Sequence, residues 1–356
     1  MPFDTELSQE RYRVAIIGGG PAGSACALAL AKRGVSDILI IEAGDYTQFR
    51  IGESIPPESL RVFQALGMDQ AFLQEGHAPC YGSCSYWGSN KRGYNDTLMN
   101  PLGHGWHLDR CKFNRFLATQ ARDRGVYVLT HARLKGSAPA TGSGFVLHLA
   151  LGAQASQSSA RIHADFVVDA SGTRAVFARQ RGSRKQSGLP LVCLAARFAI
   201  IDPENQRSSL THLEAVEHGW WYGAYLPDDC LLLAFYSDAA TVKARRLHQP
   251  EHWMGQLANA VNSARFIHHT EPLAGGILSF SAPSYCLDQL CGSNWLAIGD
   301  AASAYDPITS QGIIKALANG LSAAHVISGQ ADMHLFTQTI EDMYRHYVVF
   351  TDFLFY

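Results

Sequence analysis

The order of hydrophobic and polar positions at the start of the chain predicts a strand, a turn, a helix and a second strand. The apolar run 12–17 has the length of a buried parallel strand, and the turn GGGPAG follows it. Residues 24–33 are rich in alanine and leucine and predict a helix that Gly34 ends, and residues 38–41 predict a strand that stops at Glu42. Such a unit is parallel and right-handed, so its turn lies at the carboxyl edge of the sheet.

The remaining pattern predicts an α/β fold in which a sheet-building segment interrupts the dinucleotide-binding part. Helices are expected at 111–124, 311–328 and 335–353, and buried strands at 126–130, 145–151, 166–170 and 295–300. Residues 152–160 have the composition of an exposed hairpin loop. From about residue 191 the pattern changes to long strands rich in aromatic side chains, LVCLAARFAI, GWWYGAYLP and LLLAFYS. We expect these strands to form a second layer that covers the site.

Composition and charge argue against several classes of function. The chain has 356 residues, of which 47% are hydrophobic and 17% charged, and its formal net charge is -2. Because phosphate neutralisation needs a concentrated basic face and no basic block is present, nucleic-acid binding is not expected. No apolar run reaches the ~18 residues that span a bilayer, so no membrane association is expected, and the polar, acidic N-terminus does not resemble a secretory signal.

The cysteines indicate the compartment and make a metal site improbable. There are 8 of them, scattered along the chain, with no CxxC pair. This arrangement is typical of free thiols in a reducing compartment, so we expect a cytoplasmic protein. No histidine and cysteine residues share metal-ligand spacing, and no metal is predicted.

The glycine-rich turn is the first candidate binding motif. Gly18, Gly20 and Gly23 form a GxGxxG pattern between the predicted strand and helix. Gly18 permits the tight turn, Gly20 lets a pyrophosphate approach the backbone, and Gly23 allows the helix to pack closely on the strand. Glu42 can hydrogen-bond both hydroxyls of a ribose. The residues predicted to bind the cofactor here are Gly18, Gly20, Pro21, Ala22, Gly23, Glu42 and Ala43. NAD and FAD share this motif, which therefore does not distinguish them.

Segment 295–312, WLAIGDAASAYDPITSQG, distinguishes the two cofactors. A buried strand ending in Gly-Asp, a following Asp-Pro and a Gln-Gly that opens a helix resemble the second FAD motif of the glutathione-reductase and hydroxylase superfamily. The resemblance implies that Asp300 binds the ribityl chain of FAD. It also implies that the backbone amides of Gly312 and Ile313 face the flavin pyrimidine, where negative charge accumulates on reduction. The other FAD-binding residues that it implies in this segment are Gly299, Pro307 and Gln311.

Three further segments extend the resemblance over nearly the whole chain. DFVVDASG, residues 165–172, resembles the strand-end element that lies beside the pyrophosphate in the same superfamily. IGESIPP, residues 51–57, and WHLDRCKFNRFL, residues 106–117, resemble flavin-dependent tryptophan halogenases and their monooxygenase relatives. The chain is therefore identified as a member of this family. The further FAD contacts that the resemblance implies are Ser54, Arg110, Ala170 and Gly172.

The resemblance also implies how the chain is divided. We expect a hydroxylase-like α/β fold in which residues 1–75, 105–185 and 275–330 form a discontinuous, Rossmann-like FAD-binding domain. Residues 76–104 and 186–274 are expected to form an inserted antiparallel β-sheet that serves as the substrate or cap domain. Residues 331–356 are expected to form a C-terminal helix.

The sequence departs from the halogenases at positions that halogenation chemistry requires. Pro79 stands where halogenases have the lysine that reacts with hypohalous acid, and Thr309 stands where their Asp-Pro-x-Glu-Ser-x-Gly loop has a glutamate. Their signature Trp-x-Trp-x-Ile-Pro corresponds to YGAYLP, residues 222–227, which keeps only the proline and the aliphatic residue before it. We therefore expect no halogenation.

HAPCYGSCSYWGS and GWWYGAYLP resemble the LodB/GoxB-like flavoproteins that mature quinone-cofactor enzymes. That resemblance implies an FAD-dependent monooxygenase that hydroxylates a tryptophan side chain in a partner protein during tryptophylquinone biogenesis. With a single dinucleotide fingerprint in the chain, the external electron donor is either NAD(P)H bound without one or a separate reductase. The catalytic candidates are Glu53, His107, Trp221 and Tyr222. At least one of the aromatic residues 220–222 should face the flavin, because side chains alternate along a strand.

Other functions remain open at this point. A small-molecule aromatic hydroxylase would grip a substrate carboxylate with a buried cation, for which Arg197 is the candidate. A reductase of isoprenoid double bonds would need no O₂ and would have a long lipid tunnel. A flavoprotein that mainly binds a client protein, with FAD in a structural role, would expose a large apolar patch near the cap.

Overall fold

The computed structural model describes residues 3–89, 91–152, 158–202 and 207–355. Its strands are β1 Arg11–Ile17, β2 Ile38–Ile41, β3 Ser54–Ile55, β4 Ala78–Cys80, β5 Gly82–Tyr86, β6 Arg92–Asp96, β7 Gly105–His107, β8 Tyr127–Leu129, β9 Ala132–Pro139, β10 Phe145–Leu151, β11 Ser158–Asp169, β12 Lys185–Ile200, β13 Thr211–Val216, β14 Gly219–Leu226, β15 Cys230–Asp238, β16 Thr270–Pro272, β17 Leu278–Leu287, β18 Cys291–Gly292, β19 Trp295–Ala297 and β20 Ser303–Ala304. Its helices are α1 Pro21–Lys32, α2 Ser59–Leu66, α3 Asp69–Leu73, α4 Arg110–Arg122, α5 Val176–Gln180, α6 Ala239–Ala244, α7 Pro250–Ala258, α8 Gly312–Ile327 and α9 Met333–Phe355.

The first sheet has a parallel core in the order β19-β11-β1-β2-β8. β18 extends it at one edge, and the antiparallel strands β9 and β10 branch from β11. Every residue of β2 is buried, as expected for a parallel strand covered on both faces. Helices α1 and α8 pack so closely that a Cβ at Gly320 would lie 2.7 Å from the backbone nitrogen of Cys26.

The second sheet has the order β20-β17-β12-β15-β14-β13-β5-β6, and β16 pairs with β12. Neighbouring strands are antiparallel, except that β13 and β5 run parallel. Its outer face packs against α7, where Trp221 meets Trp253 with ring centroids 4.9 Å apart. We call the first sheet with its helices the first unit, and the second sheet with α7 the second unit. The inner face of the second sheet packs against loops of the first unit through Phe49, Ile51 and Ile308. The side chains of this inner face include Cys193, Ala195, Trp220, Tyr222, Ala224, Ala234 and Tyr236.

A small sheet, β3-β7-β4, joins the two units. Ser54 of β3 pairs with His107 of β7, and β7 leads within three residues into α4 of the first unit. The ring of His107 in turn hydrogen-bonds the backbone of β14. This sheet therefore fixes the position of the second sheet over the first.

The predicted α/β fold with an antiparallel sheet over a dinucleotide-binding core is confirmed. Strands β2 and β10 match their predicted ranges, whereas α1 begins three residues earlier than predicted because Pro21 is well placed in a first turn. β17 and β20 belong to the second sheet, although their residues fall in a segment expected to belong to the FAD-binding domain. Residues 153–157 of the expected hairpin loop lie outside the described residues, and β11 begins at Ser158.

The C-terminal helix α9 packs beside the segment that precedes α8. The rings of Tyr347 and Tyr305 stack with centroids 4.5 Å apart, and the Tyr347 hydroxyl accepts a hydrogen bond from the Asp306 amide at 2.9 Å. Among the described residues, none of the helices combines the length and apolar character needed to cross a bilayer.

Candidate functional site

The glycine turn lies at the carboxyl end of β1, beside the end of β11. Gly18 has a φ of +108°, and a Cβ there would overlap the carbonyl oxygen of Ala170, so the turn requires glycine. At Gly23 a Cβ would overlap the Gly18 oxygen. At Gly20, by contrast, no atom lies within 4 Å of the position that a Cβ would take. The start of α1, with Pro21 and Ala22 in its first turn, is therefore open to an anion.

Glu42 follows β2 beside this turn, and two backbone amides fix its carboxylate. Oε2 accepts a hydrogen bond from the Gly19 amide at 2.8 Å, and Oε1 accepts one from the Gly44 amide at 2.8 Å. The residue is only 7% exposed. Each carboxylate oxygen keeps a further lone pair, so Glu42 and the adjacent Ala43 lie where a ribose on this turn would find acceptors for its hydroxyls.

The end of β11 forms a second open turn next to the first. The carboxylate of Asp169 accepts hydrogen bonds from the Ser171 hydroxyl at 2.6 Å and from the amides of Phe177 and Ala178 at 2.8 Å each. These bonds hold the chain after Ala170 in a tight turn. Beside Gly172 no atom lies within 4 Å of a Cβ position, so this backbone also borders open space.

The third part of the site follows β19. Asp300 lies in the short turn Gly299–Ala301, and its side chain is 43% exposed. Pro307 begins another short turn, after which Gln311 and Gly312 are exposed at the start of α8. Beside Gly312 the Cβ position is again open, while Ile313 is buried in the core. The first turn of α8 lies beside Asp300, because Lys315 of that turn contacts the Asp300 carboxylate.

Lys315, one turn into α8, was not anticipated from the sequence. Its Nζ lies 3.2 Å from Asp300 Oδ1, donates to the Ser303 carbonyl oxygen and lies 4.3 Å from the centre of the Tyr305 ring. Burial lowers the pKa of Lys315, and the Asp300 carboxylate opposes this effect. The signal in the sequence is a lone lysine within the apolar run of α8.

These parts fit an extended dinucleotide. The open backbone at Gly20, Gly172 and Gly312 and the carboxylates of Glu42 and Asp300 all lie at the carboxyl edge of one parallel sheet. Ligands of open α/β sheets bind at this edge. The structure thus brings together the residues predicted to hold FAD: the first turn would bind the pyrophosphate, Glu42 the ribose, Asp300 the ribityl chain, and the start of α8 the flavin pyrimidine.

Arg110 holds the loop that leads from β2 towards the second sheet. Its Nη1 donates to the carbonyl oxygens of Ile51 and Gly52 at 2.6 and 2.7 Å, and it stands at the first position of α4. Burial lowers the pKa of Arg110, whereas the carboxylates of Glu53 and Asp300 raise it. The guanidinium therefore connects the loop electrostatically to the flavin side of the site.

Glu53 is a buried carboxyl group beside the inner face of the second sheet. It is 2% exposed, and among the described residues its Oε1 has no hydrogen-bond partner. Burial raises its pKa to about 7, although the Arg110 cation acts in the opposite direction. After burial, the proximity of Glu53 is the largest cause of the raised pKa of Tyr222. Glu53 can therefore exchange a proton near neutral pH at the junction of the two units.

His107 is not available as a base. Its Nδ1 lies 3.1 Å from the Tyr225 carbonyl oxygen and its Nε2 lies 2.9 Å from Thr211 Oγ1, so both ring nitrogens are occupied. Burial lowers the pKa of His107 to about 4, which keeps the ring neutral at physiological pH. Its ring links β14 to Thr211, a residue that was not anticipated from the sequence.

The adjacent aromatic candidates of β14 point in opposite directions. Tyr222 and Trp220 lie on the inner face, and Tyr222 hydrogen-bonds Ser54 at 2.8 Å. Trp221 lies on the outer face and is fully buried under α7, so the structure does not bring it to the site. Arg197 lies on the same, inner face of β12 as Cys193 and Ala195. Its guanidinium lies 4.4 Å from the centre of the Phe49 ring.

In the part of the chain that the structure describes, no three His, Cys, Asp or Glu side chains are grouped so that they could hold a metal ion.

The chain belongs to the FAD-binding domain family, whose model matches residues 11–339. It is an FAD-dependent oxidoreductase. It is 28% identical over 347 residues to LodB of Marinomonas mediterranea, which is named as an FAD-dependent oxidoreductase, and the match covers 96% of this chain and 91% of LodB. It is 26% identical to the flavin-dependent halogenase armH4 of Armillaria mellea, with 91% of this chain matched. The chain spans 66% of the length of that halogenase.

Among solved structures, the fold resembles that of the peptidyl tryptophan dihydroxylase QhpG, which is described as essential for tryptophylquinone cofactor biogenesis. The TM-score is 0.75 at 21% identity, and the superposition covers 95% of this chain and 73% of QhpG. At this level of identity the resemblance shows a shared fold.

Proposed function

We propose that this protein is an FAD-dependent monooxygenase that hydroxylates a tryptophan side chain of a partner protein during tryptophylquinone biogenesis. The observation that carries the proposal is the inner face of the second sheet, an apolar and aromatic surface with Tyr222 and Glu53 at its border with the FAD cleft. The similarity to LodB over nearly the full length of both chains, and the fold shared with QhpG, support the same function.

When bound, FAD would transfer electrons to O₂, from which the inserted oxygen atom comes. Each hydroxylation converts a ring C–H into C–OH, consumes O₂, two electrons and two protons, and releases one water. An external donor, either NAD(P)H or a separate reductase, provides the electrons.

The chain's own residues contribute binding, exclusion of water and proton transfer. The apolar inner face excludes water from the reacting ring, and the aromatic side chains Trp220 and Tyr222 offer it a flat surface. An indole is already nucleophilic and needs little activation, but its ring carbon must lose a proton after oxygen has been added. Glu53 Oε1, which has no partner among the described residues, is our candidate to take that proton.

The direct test supplies the FAD-loaded protein with a flavin reductase, NADH, isotopically labelled O₂ and a protein substrate. The substrate is the catalytic subunit of a tryptophylquinone enzyme, produced without its maturation proteins. We expect its mass to increase in steps of one labelled oxygen atom, with the label on tryptophan in peptide maps. Consumption of O₂ with no label in the protein would contradict the proposal.

Arg197 favours a second candidate function, a small-molecule aromatic hydroxylase. A cation on the inner face could hold the carboxylate of a free aromatic acid. In that case free aromatic acids would be turned over, and Arg197→Ala would abolish the turnover, whereas Arg245→Ala, an exposed position at the end of α6, would not. Under the main proposal, free tryptophan does not stimulate oxidation of the reduced flavin.

Halogenation must be tested directly, because the chain is similar to flavin-dependent halogenases. Pro79 is exposed on β4, and the Thr309 hydroxyl donates to the Asp306 carbonyl oxygen at 3.0 Å. Neither residue offers the amine or the carboxylate that halogenases have at the corresponding positions. With chloride or bromide in the same assay, we expect no product with a halogen isotope pattern.

A further inference from the structure

Four side chains form a continuous hydrogen-bonded chain from the inner face of the second sheet to the small sheet. The hydroxyl of Tyr222 lies 2.8 Å from Ser54 Oγ, which lies 2.9 Å from Thr211 Oγ1. Thr211 Oγ1 lies 2.9 Å from Nε2 of His107, and Nδ1 of His107 lies 3.1 Å from the carbonyl oxygen of Tyr225. Tyr222, Thr211 and His107 are buried, and Ser54 is partly exposed.

The donor and acceptor of every hydrogen bond in this series follow from its last group, the carbonyl oxygen of Tyr225. A carbonyl oxygen can only accept, so Nδ1 of His107 carries the ring proton. Because burial keeps the ring neutral, Nε2 has no proton and accepts from the Thr211 hydroxyl. That hydroxyl has one proton, so Ser54 must donate to Thr211, and Tyr222 must donate to Ser54.

The nearby thiol of Cys80 does not disturb this direction. Its Sγ lies 3.8 Å from Thr211 Oγ1 and 3.3 Å from the Gly82 carbonyl oxygen, to which it donates. Its single proton is therefore used, and the Thr211 proton is given to His107, so the 3.8 Å contact leaves the direction of the other bonds unchanged.

The Tyr222 hydroxyl thus donates its only proton to Ser54. Towards the inner face the Tyr222 oxygen has only a lone pair, so it can accept a hydrogen bond there but cannot donate one. An unconstrained tyrosine hydroxyl could do either. Indole presents an N–H and no acceptor in its ring plane, and so it matches this polarity.

We propose that Tyr222 is a specificity-determining residue whose oxygen accepts a hydrogen bond from the ring N–H of the substrate indole. This inference rests on the proposed function and deepens it. Ser54, Thr211 and His107 act through Tyr222 as positioning residues, since they fix the direction of its hydroxyl.

The test removes the donor from the ligand and the acceptor from the protein. The probes are two 15-residue peptides of glycine and serine with one central aromatic residue, tryptophan in one and 3-benzothienylalanine in the other, which replaces N–H by sulfur. Their Kd values are measured on the oxidised, FAD-loaded protein by calorimetry. A neutral hydrogen bond corresponds to a preference for the tryptophan peptide of about fivefold.

We expect Tyr222→Phe to lose this preference while keeping its affinity for the benzothienyl peptide. Thr211→Val should reduce the preference, because Ser54 is then free to donate to Tyr222. Tyr225→Phe is the matched control, since it makes the same change on the same strand but on the outer face and leaves the backbone carbonyl in place. This control should keep the preference.

An equal preference in the original protein and in Tyr222→Phe would overturn the acceptor role alone. If neither peptide bound, the tryptophan pocket of the proposed function would be refuted, and the acceptor role with it. The direction of the chain is measured separately from ¹⁵N chemical shifts of labelled histidine, which should show His107 with its proton on Nδ1. A proton on Nε2 would overturn the inference whatever the peptides do.

Discussion

Replacing Glu53 by glutamine should stabilise the folded protein at pH 8 and change its stability little at pH 4.5 or below. Glu53 is 2% exposed, and burial raises its pKa from 4.5 to about 7. Below pH 4.5 the carboxyl group is protonated in both the folded and the unfolded chain. Between pH 4.5 and 7 the unfolded chain releases its proton while the folded protein retains it, so the free energy of unfolding falls as the pH rises.

The size of the effect follows from the difference between the two pKa values. That difference is about 2.5, and each pKa unit corresponds to about 1.4 kcal/mol. Above pH 7 the ionised Glu53 therefore lowers the free energy of unfolding by about 3 kcal/mol relative to a neutral side chain of the same shape. Glutamine does not titrate, so the advantage of the variant should grow from near zero to about this value as the pH rises.

The assay is urea unfolding of the FAD-loaded proteins, followed by far-ultraviolet circular dichroism between pH 4.5 and 8 at a fixed FAD concentration. Only the difference between the variant and the original protein is interpreted, because other groups that titrate in this range cancel in it. Glu271→Gln, at an exposed position of β16, is the control and should show a difference that does not depend on pH. A Glu53→Gln difference that is equally flat would refute the assignment of a buried, partly protonated carboxyl group.

Two further predictions concern glycines whose surroundings differ. Gly20→Val should abolish copurification of FAD, measured by visible flavin absorbance, because the branched side chain would fill the open space at the start of α1, whereas Gly136→Val, also with nothing within 4 Å, should retain the flavin. Gly320→Ala should lower the free energy of unfolding by about 1–3 kcal/mol in urea, because its Cβ would lie 2.7 Å from the Cys26 nitrogen. Gly255→Ala, which meets nothing within 4 Å on α7, should be neutral or slightly stabilising. Normal flavin content in Gly20→Val, or unchanged stability in Gly320→Ala, would contradict the respective reasoning.

The dinucleotide cleft could be predicted from the sequence because its determinants are local. A glycine turn between a strand and a helix, and an acidic residue at the end of the next strand, depend on a few adjacent residues and on the handedness of the unit. The structure places Gly20, Glu42 and Asp300 along one sheet edge for that reason.

The apolar half of the site could not be predicted to the same depth, because it depends on contacts between distant segments. Alternation along β14 implied that one of its aromatic residues faces the flavin, but only the packing of α7 decides that Trp221 is the outward one. His107 is neutral because it is buried, and its two hydrogen-bond partners, Thr211 and a carbonyl group of β14, are each more than 100 residues away in the chain. Lys315 becomes a site residue only through its contact with Asp300.

The same contacts suggest why Tyr222 departs from the halogenase signature. The first position of that signature is a tryptophan, whose ring can donate a hydrogen bond through N–H but cannot accept one. In this chain the position holds a tyrosine whose proton is bound inward by Ser54, so the group that faces the substrate is an acceptor. The exchange therefore reverses the polarity of this part of the inner face. An acceptor suits a substrate that brings its own N–H, and an indole side chain does so whether it arrives free or on a polypeptide. Arg197 bears on whether the tryptophan is free or part of a polypeptide. Its guanidinium can bind the carboxylate of a free amino acid, but a tryptophan within a peptide has no such carboxylate.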